Sequence, residues 1–270
     1  MFVCESFQKT LPPAKTSTHP VIQTKRCLGV RFLFFKKLYN VLLVYLMISD
    51  HVVVSLSGGK DSVYALYSAL REGLAVKHLM FIQTGGKAHL ENKRMIELIS
   101  ETTGIPSIVV GKNPQDVGKA LKKLGATMLV SGVTTTPEHL DYYKDILEPI
   151  GVKQYAPLFG KDPIAGLDEM HQQGFKCLII EVDTALGANK EWLGKIMDKN
   201  IIEEIKQRVA EKKINPIGEW GEYHTLVIDC PLYKKQIHIE KNKTEWKNTK
   251  GYYLIKKATL QPKTQPPTTI

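Results

Sequence analysis

The stretch Val52-Val53-Val54-Ser55-Leu56-Ser57-Gly58-Gly59-Lys60-Asp61-Ser62 constrains the fold more than any other part of this chain. The short apolar run reads as a buried strand, and Ser-Gly-Gly reads as a tight turn. Val63, Leu66, Tyr67 and Leu70 then recur at i, i+3, i+4 and i+7, the spacing of one helix face, and Gly73 marks the stop. A strand, a glycine turn and a helix in this order make an anion site. The glycines let the backbone approach a ligand, and the helix N-terminus presents the positive end of its dipole. Lys60 adds a charge, and Ser57 and Ser62 add hydroxyls. A lysine in such a site is expected to face solvent.

The loop is not the common Gly-x-x-x-x-Gly-Lys-Ser/Thr phosphate loop. Val54 stands where the first glycine would be, and Asp61 follows the lysine. Downstream, strands and helices alternate. Strands are expected at 76–82, 107–110 and 128–133. Helices are expected at 90–103, at 114–124 between an Asn113 cap and Gly125, and at 140–150. A βαβαβαβ order implies a parallel sheet with helices on both faces and a ligand at the carboxyl ends of its strands. The second half reads as a helix at 163–173, a strand at 176–182, a long helix or helix pair at 191–213, a strand at 226–228, and β structure from 235 to 260.

Composition narrows the class. The chain has 270 residues and a net charge of +10, with hydrophobic and charged contents of 43% and 24%, ordinary for a globular protein. Residues 1–50 carry seven basic and two acidic residues, so half of the surplus lies there. The rest is only mildly basic, which suits an enzyme that handles anions such as ATP; no dense basic face favours nucleic acid. Cys4, Cys27, Cys177 and Cys230 form no Cys-x-x-Cys pair, which argues against a zinc knuckle or redox dithiol and suits a reducing cytoplasm. Residues 1–46 differ from the body. A Pro-, Thr- and Ser-rich stretch precedes an apolar run at 38–48 that is too short to span a bilayer. They are expected to be a disordered or mis-annotated extension with the true start at Met47, and residues 263–270 a disordered tail.

A second constellation, Gly218-Glu219-Trp220-Gly221-Glu222-Tyr223-His224-Thr225, sets two carboxylates and an imidazole between glycines at a strand entry. Such a group can orient a nucleophile, bind a cation or hold a metal, or it can be a polar loop with a histidine in the sheet.

Ser57 to Ser62 resembles the pyrophosphate (PP) loop of ATP pyrophosphatases, and the two constellations together resemble the diphthine–ammonia ligase family. The likeness extends over about residues 51–260. It includes His89 ahead of Gly104-Ile105-Pro106, Ala156-Pro157-Leu158-Phe159, Glu191-Trp192-Leu193-Gly194, and Gly218 to Asp229 with Pro231. It implies an α/β, Rossmann-like domain of the adenine nucleotide α-hydrolase type at 47–151 and a smaller α+β substrate domain at 152–262. Between Gly132 and Gly151 the family's ligases carry Ser-x-Tyr-Gln-x-x-Arg. Here the stretch reads Thr134-Thr135-Thr136-Pro137-Glu138-His139-Leu140-Asp141-Tyr142, which puts substrate choice in question.

The resemblance further implies an ATP-dependent ligase. A substrate carboxylate attacks the α-phosphorus, pyrophosphate leaves, and ammonia displaces AMP to give an amide. ATP and Mg²⁺ are the implied cofactors, with Ser57, Gly58, Gly59, Lys60, Asp61 and Ser62 holding the nucleotide. Lys60, Asp61, Glu219, Glu222 and His224 are the catalytic candidates. The implied partners are ammonia and a carboxylate substrate, the diphthine residue of elongation factor 2 in the family's reaction. Its trimethylammonium group would meet carboxylates or the rings of Trp220 and Tyr223. The alternatives are an ATP pyrophosphatase acting on another acceptor, in cobalamin salvage or RNA modification, and a nucleotide-binding protein without turnover.

Overall fold

The computed structural model describes residues 50–84 and 86–263; the readings for residues 1–49 and 264–270 lie outside them. Five short strands form the first sheet: β1 (Val52–Ser55), β2 (Val76–Ile82), β3 (Ser107–Val110), β4 (Met128–Val130) and β5 (Lys153–Tyr155). All pair in parallel, in the order β3-β2-β1-β4-β5. β5 was not foreseen. It pairs with β4, so the first sheet runs past the division expected after residue 151.

Alternation along β1 explains the two covered faces. Val52 and Val54 point into a core shared with α1 (Lys60–Arg71) and with the second half of the chain. Val53 points the other way, into a core closed by α4 (Pro114–Leu124) and α5 (Pro137–Leu147). All three valines are fully buried.

Two helices, α2 (Lys87–Glu91) and α3 (Met95–Thr103), replace the single helix expected at 90–103. The break has a tertiary cause. The buried Asn92 side chain donates to the Tyr253 carbonyl at 3.0 Å and accepts from the Ile255 N–H at 2.8 Å, which ties this segment to a distant strand.

The second half carries α6 (Pro163–Gln172), β6 (Lys176–Asp183), α7 (Lys199–Ala210), β7 (Tyr223–Asp229), β8 (Gln236–Lys247) and β9 (Lys250–Gln261). Its antiparallel sheet has the order β7-β6-β9-β8. β6 is central and buried from Cys177 to Asp183. The long helix or helix pair expected at 191–213 is reduced to one helix, α7. A 3₁₀ turn at Lys190–Trp192 leads into Gly194 at φ +77°, and α7 starts only after Asp198, whose side chain accepts from the Ile201 N–H at 3.0 Å. The apolar residues before Asp198 serve the sheet rather than a helix face: Ile196 bridges Leu178, and Trp192 is buried. The two halves share one continuous core, to which Leu56, Leu66, Leu178, Ile180 and Leu226 all belong.

Candidate active site at the carboxyl ends of the parallel strands

In the observed strand order, β1 has β2 on one side and β4 on the other, so the chain departs in opposite directions from neighbouring strand ends. Open parallel sheets bind ligands in the crevice this leaves. A cavity of about 500 Å³ lies there. The Ser57–Ser62 loop, residues 132–134 and one face of α5 line it from the first half, and residues 217–219 and 223–225 from the second.

The Ser57–Ser62 loop is largely self-shaped. The Ser62 hydroxyl donates to the Gly59 carbonyl at 3.0 Å and accepts from the Ser57 N–H at 3.2 Å. Gly58 has φ +81°, a conformation that disfavours side chains, and the site of its missing Cβ lies 3.1 Å from Leu226. Helix α1 then begins with no side chain at its N-cap, Gly59. The Lys60 N–H instead donates to Thr225 Oγ1 of β7 at 3.1 Å. Gly132, just beyond β4, is the hidden member of this site. A Cβ there would stand 2.7 Å from the Asp61 carbonyl carbon and the Ser62 nitrogen, so only glycine lets β4 abut the first turn of α1.

Lys60 departs from expectation. It is 3% exposed rather than solvent-facing. Its ammonium donates to Asp61 Oδ2 at 2.8 Å and to the Ile217 carbonyl at 2.7 Å, and it lies 5.2 Å from the Tyr223 ring centre. A buried ammonium must be paired, and here the pairing ties the Ser57–Ser62 loop to the second half. Asp61 Oδ1 is buried without a partner, as are Ser131 Oγ and the Tyr142 hydroxyl. Unpaired buried polar atoms are costly, and a ligand or an ordered water would satisfy them. Tyr142 lines the cavity and Ser131 adjoins the lining residue Gly132, so the divergent α5 segment faces the site. Among the described residues no group of three or more His, Cys, Asp or Glu can hold a metal ion.

The second constellation divides three ways. Glu222 is buried and turned into its own loop, accepting from the Asn215 N–H at 2.7 Å and the Trp220 N–H at 3.1 Å. It is a staple for residues 215–222 and does not line the cavity. Glu219 lines the cavity and reaches across it. One oxygen accepts from the Thr135 hydroxyl, and the other accepts from the Thr136 N–H at 3.3 Å and faces His139 at 3.4 Å. Thr136 is the N-cap of α5 and makes no side-chain cap of its own, so a carboxylate from a distant loop satisfies this helix end. Burial disfavours the Glu219 charge, but the bonds from Thr135 and Thr136 outweigh it and hold the carboxyl below the ordinary value.

His224 lines the cavity beside His89, with ring centres 5.2 Å apart, edge to face. Desolvation lowers both imidazoles, His224 to about 3 and His89 to about 4; nearby His89 and Lys60 add to the former. The nearby Ser57 backbone works the other way on His89. Both rings are therefore neutral at neutral pH. Tyr223 is buried edge-on against Trp192 with Lys60 over it, so it offers no face to a cationic substrate. Trp220 is 72% exposed and keeps that capacity.

Two groups escaped the sequence reading. Gly132 follows an apolar strand as Gly58 does, but its need appears only where two elements touch. Glu181 was visible as a lone carboxylate in the apolar run Leu178-Ile179-Ile180-Glu181-Val182, a pattern that flags a buried charge.

Residues 50–154 match the diphthamide synthase N-terminal domain, and residues 162–261 match the diphthamide synthase C-terminal domain. The chain is 26% identical over 226 residues to the diphthine–ammonia ligase of Danio rerio, covering 72% of this chain and 88% of that one. It is 24% identical over 223 residues to that of Homo sapiens, covering 70% and 82%. A shorter match, 33% identical over 123 residues, is to the diphthine–ammonia ligase of Schizosaccharomyces pombe, covering 44% of this chain and 20% of that protein.

Proposed function

The chain belongs to the diphthamide synthase family, and we propose that its cavity is the active site of an ATP-dependent ligase that converts a substrate carboxylate and ammonia to an amide, with AMP and pyrophosphate as products. The acceptor that the named relatives indicate is diphthine. One observation carries the reading: a single cavity joins the glycine loop and N-terminus of α1 to a wall built from Glu219, His224 and Thr225 of the second half.

The phosphate groups of ATP fit the first wall. The glycine loop allows close backbone approach, the Ser57 hydroxyl lies beside it, and the dipole of α1 favours negative charge. Lys60 adds positive charge from below while staying paired, so it stabilises charge on departing pyrophosphate without moving. Asp61 is the residue that would hold Mg²⁺, since its free Oδ1 is buried and Mg²⁺ takes few protein ligands beside phosphates and water. The ion would supply charge neutralisation on the phosphates. Glu219 fixes α5, and with it the Tyr142 hydroxyl, against the second half, which positions the cavity wall that meets the acceptor.

Among the described residues the cysteines, Cys177 and Cys230, are buried. Desolvation raises the Cys177 thiol to about 12 and the Cys230 thiol higher still, so neither is a ready nucleophile. A second reading, a different carboxylate acceptor, is favoured by one observation: Thr134, His139 and Tyr142 of the divergent segment all line the cavity. Incubating the protein with ATP, ammonium chloride and diphthine-bearing elongation factor 2 tests the reading. AMP and pyrophosphate should form in step with the amide. ADP as the product would overturn it, and AMP formation with other carboxylates alone would select the second reading.

A further inference from the structure

We propose that His139, oriented by Glu219, is the base of the amide-forming step and takes the proton that the attacking ammonia nitrogen must lose; this rests on the ligase reading above. His139 stands in the first turn of α5, in the segment that departs from the family's pattern. Its ring lines the cavity, and its side chain is 55% exposed, so the imidazole meets both the site and bulk water. Nδ1 faces Glu219 Oε1 at 3.4 Å, and this is the one carboxylate within 4 Å of its ring nitrogens among the described residues. Pairs of this kind commonly tighten when a substrate binds.

Glu219 is fixed before it serves the ring. The Thr135 hydroxyl and the Thr136 N–H both donate to it, and these bonds favour its ionised form. An anionic oxygen beside Nδ1 selects the tautomer that carries its proton there, because a bare Nδ1 would set lone pair against lone pair. Nε2 is then the unprotonated nitrogen. Among the described residues the His139 side chain makes no polar contact other than the one to Glu219, so Nε2 is open to a substrate proton.

The other titratable groups around the cavity are unsuited to the task. Asp61 accepts from the Lys60 ammonium. Desolvation lowers His89 to about 4 and His224 to about 3, so both hold a proton too weakly to take one near neutral pH. Burial pushes the phenols of Tyr142, Tyr143 and Tyr223 above their ordinary value, and they keep their protons. His139 alone joins an exposed ring, an orienting carboxylate and a free ring nitrogen.

The proton has a complete path. Ammonia attacks the acyl carbon of the adenylate with its lone pair, the C–N bond forms, and the nitrogen becomes positive. Nε2 takes one of its protons. The C–O bond to the AMP phosphate breaks, and AMP leaves with that electron pair. Glu219 stabilises the imidazolium, which passes its proton to water and returns to the neutral base.

Adenylation needs no such base, because a carboxylate attacks ATP without losing a proton. Two measurements on the full chain with ATP and diphthine-bearing elongation factor 2 separate the steps. Return of labelled pyrophosphate into ATP, without ammonia, reads adenylation. Addition of ammonium chloride to the preformed adenylate reads amide formation. His139→Gln keeps an N–H donor in an exposed helical turn. It should slow amide formation about a hundredfold to ten-thousandfold and leave pyrophosphate exchange within about twofold. Free imidazole should restore part of the rate to His139→Ala, which a purely structural role would not allow. Glu219→Gln should slow amide formation less, and the double variant should be no slower than His139→Gln alone, since a positioning residue acts only through the ring. Equal losses of exchange and amide formation in His139→Gln, an unchanged amide rate, or no response of His139→Ala to imidazole would overturn the base while leaving the ligase reading in place. A double variant much slower than His139→Gln would overturn the role of Glu219. Neither exchange nor AMP from wild-type protein would remove the ligase reading, and the base with it.

Discussion

The Ser57–Ser62 loop and the Gly218–Thr225 loop face each other across one cavity, yet they are built by opposite means. The first is shaped mainly by neighbours in sequence: Ser62 bonds to Ser57 and Gly59, and the glycines admit the turn. The second spends its polar residues on several tasks. Glu222 holds its own backbone, Glu219 crosses to α5, and His224 meets His89 and Glu181. Local chemistry therefore sets the shape of the first loop but not the roles in the second, where identical carboxylates do unrelated work.

The largest expected effect tests how local the first loop is. Gly132→Ala places a methyl 2.7 Å from the backbone of Asp61 and Ser62, which cannot yield as a flexible side chain would. AMP formation should be abolished, with a stability loss on the order of 3 kcal/mol from overpacking. Wild-type turnover in this variant would mean that the loop tolerates displacement by its neighbour. Lys60→Ala should also abolish AMP formation. It should lower the melting temperature as well, because the Ile217 carbonyl and Asp61 lose their buried partner. An unchanged melting temperature would show that Lys60 does not join the two halves.

The histidines give a pH signature. His224 and His89 titrate lower in the folded protein, at about 3 and 4, than the ordinary 6.5. The unfolded chain therefore binds protons first as pH falls. Their contribution to stability is complete above 6.5 and declines as pH drops toward 3, by up to about 1.4 kcal/mol per pH unit for each ring. Chemical denaturation from pH 7 to 4 should show this slope, and His224→Gln should flatten it. A variant with the wild-type slope would place the imidazoles in solvent.

The carboxylates of the second loop provide the smaller effects. Glu222→Gln keeps one acceptor oxygen and sets an NH₂ against a backbone N–H, so it should cost about 1–3 kcal/mol in denaturant unfolding. Catalysis should suffer only through loop disorder, seen as a raised acceptor KM. If it lost all turnover at unchanged stability, Glu222 would be catalytic after all. Glu219→Gln should cost about 1 kcal/mol, and the loss should shrink as pH falls below about 4.5, where the wild-type carboxyl in the unfolded chain takes up its proton.

The sequence alone determined the parallel α/β class, the strand, glycine turn and helix order at 52–71, and the β2, β3 and α4 boundaries. These depend on hydrophobic period, glycine and proline placement, and N-caps, which act over a few residues. Tertiary structure decided what came from distant partners. It split the expected 90–103 helix through Asn92, replaced much of the 191–213 helix with sheet contacts around Trp192 and Ile196, and added β5. It also buried Lys60, turned Glu222 into its own loop and brought Glu181, His89 and His224 together. A carboxylate or lysine has the same local signature wherever it points. Its work is set by which backbone groups and charges the fold places within about 3 Å of it, and that is a property of the packed chain.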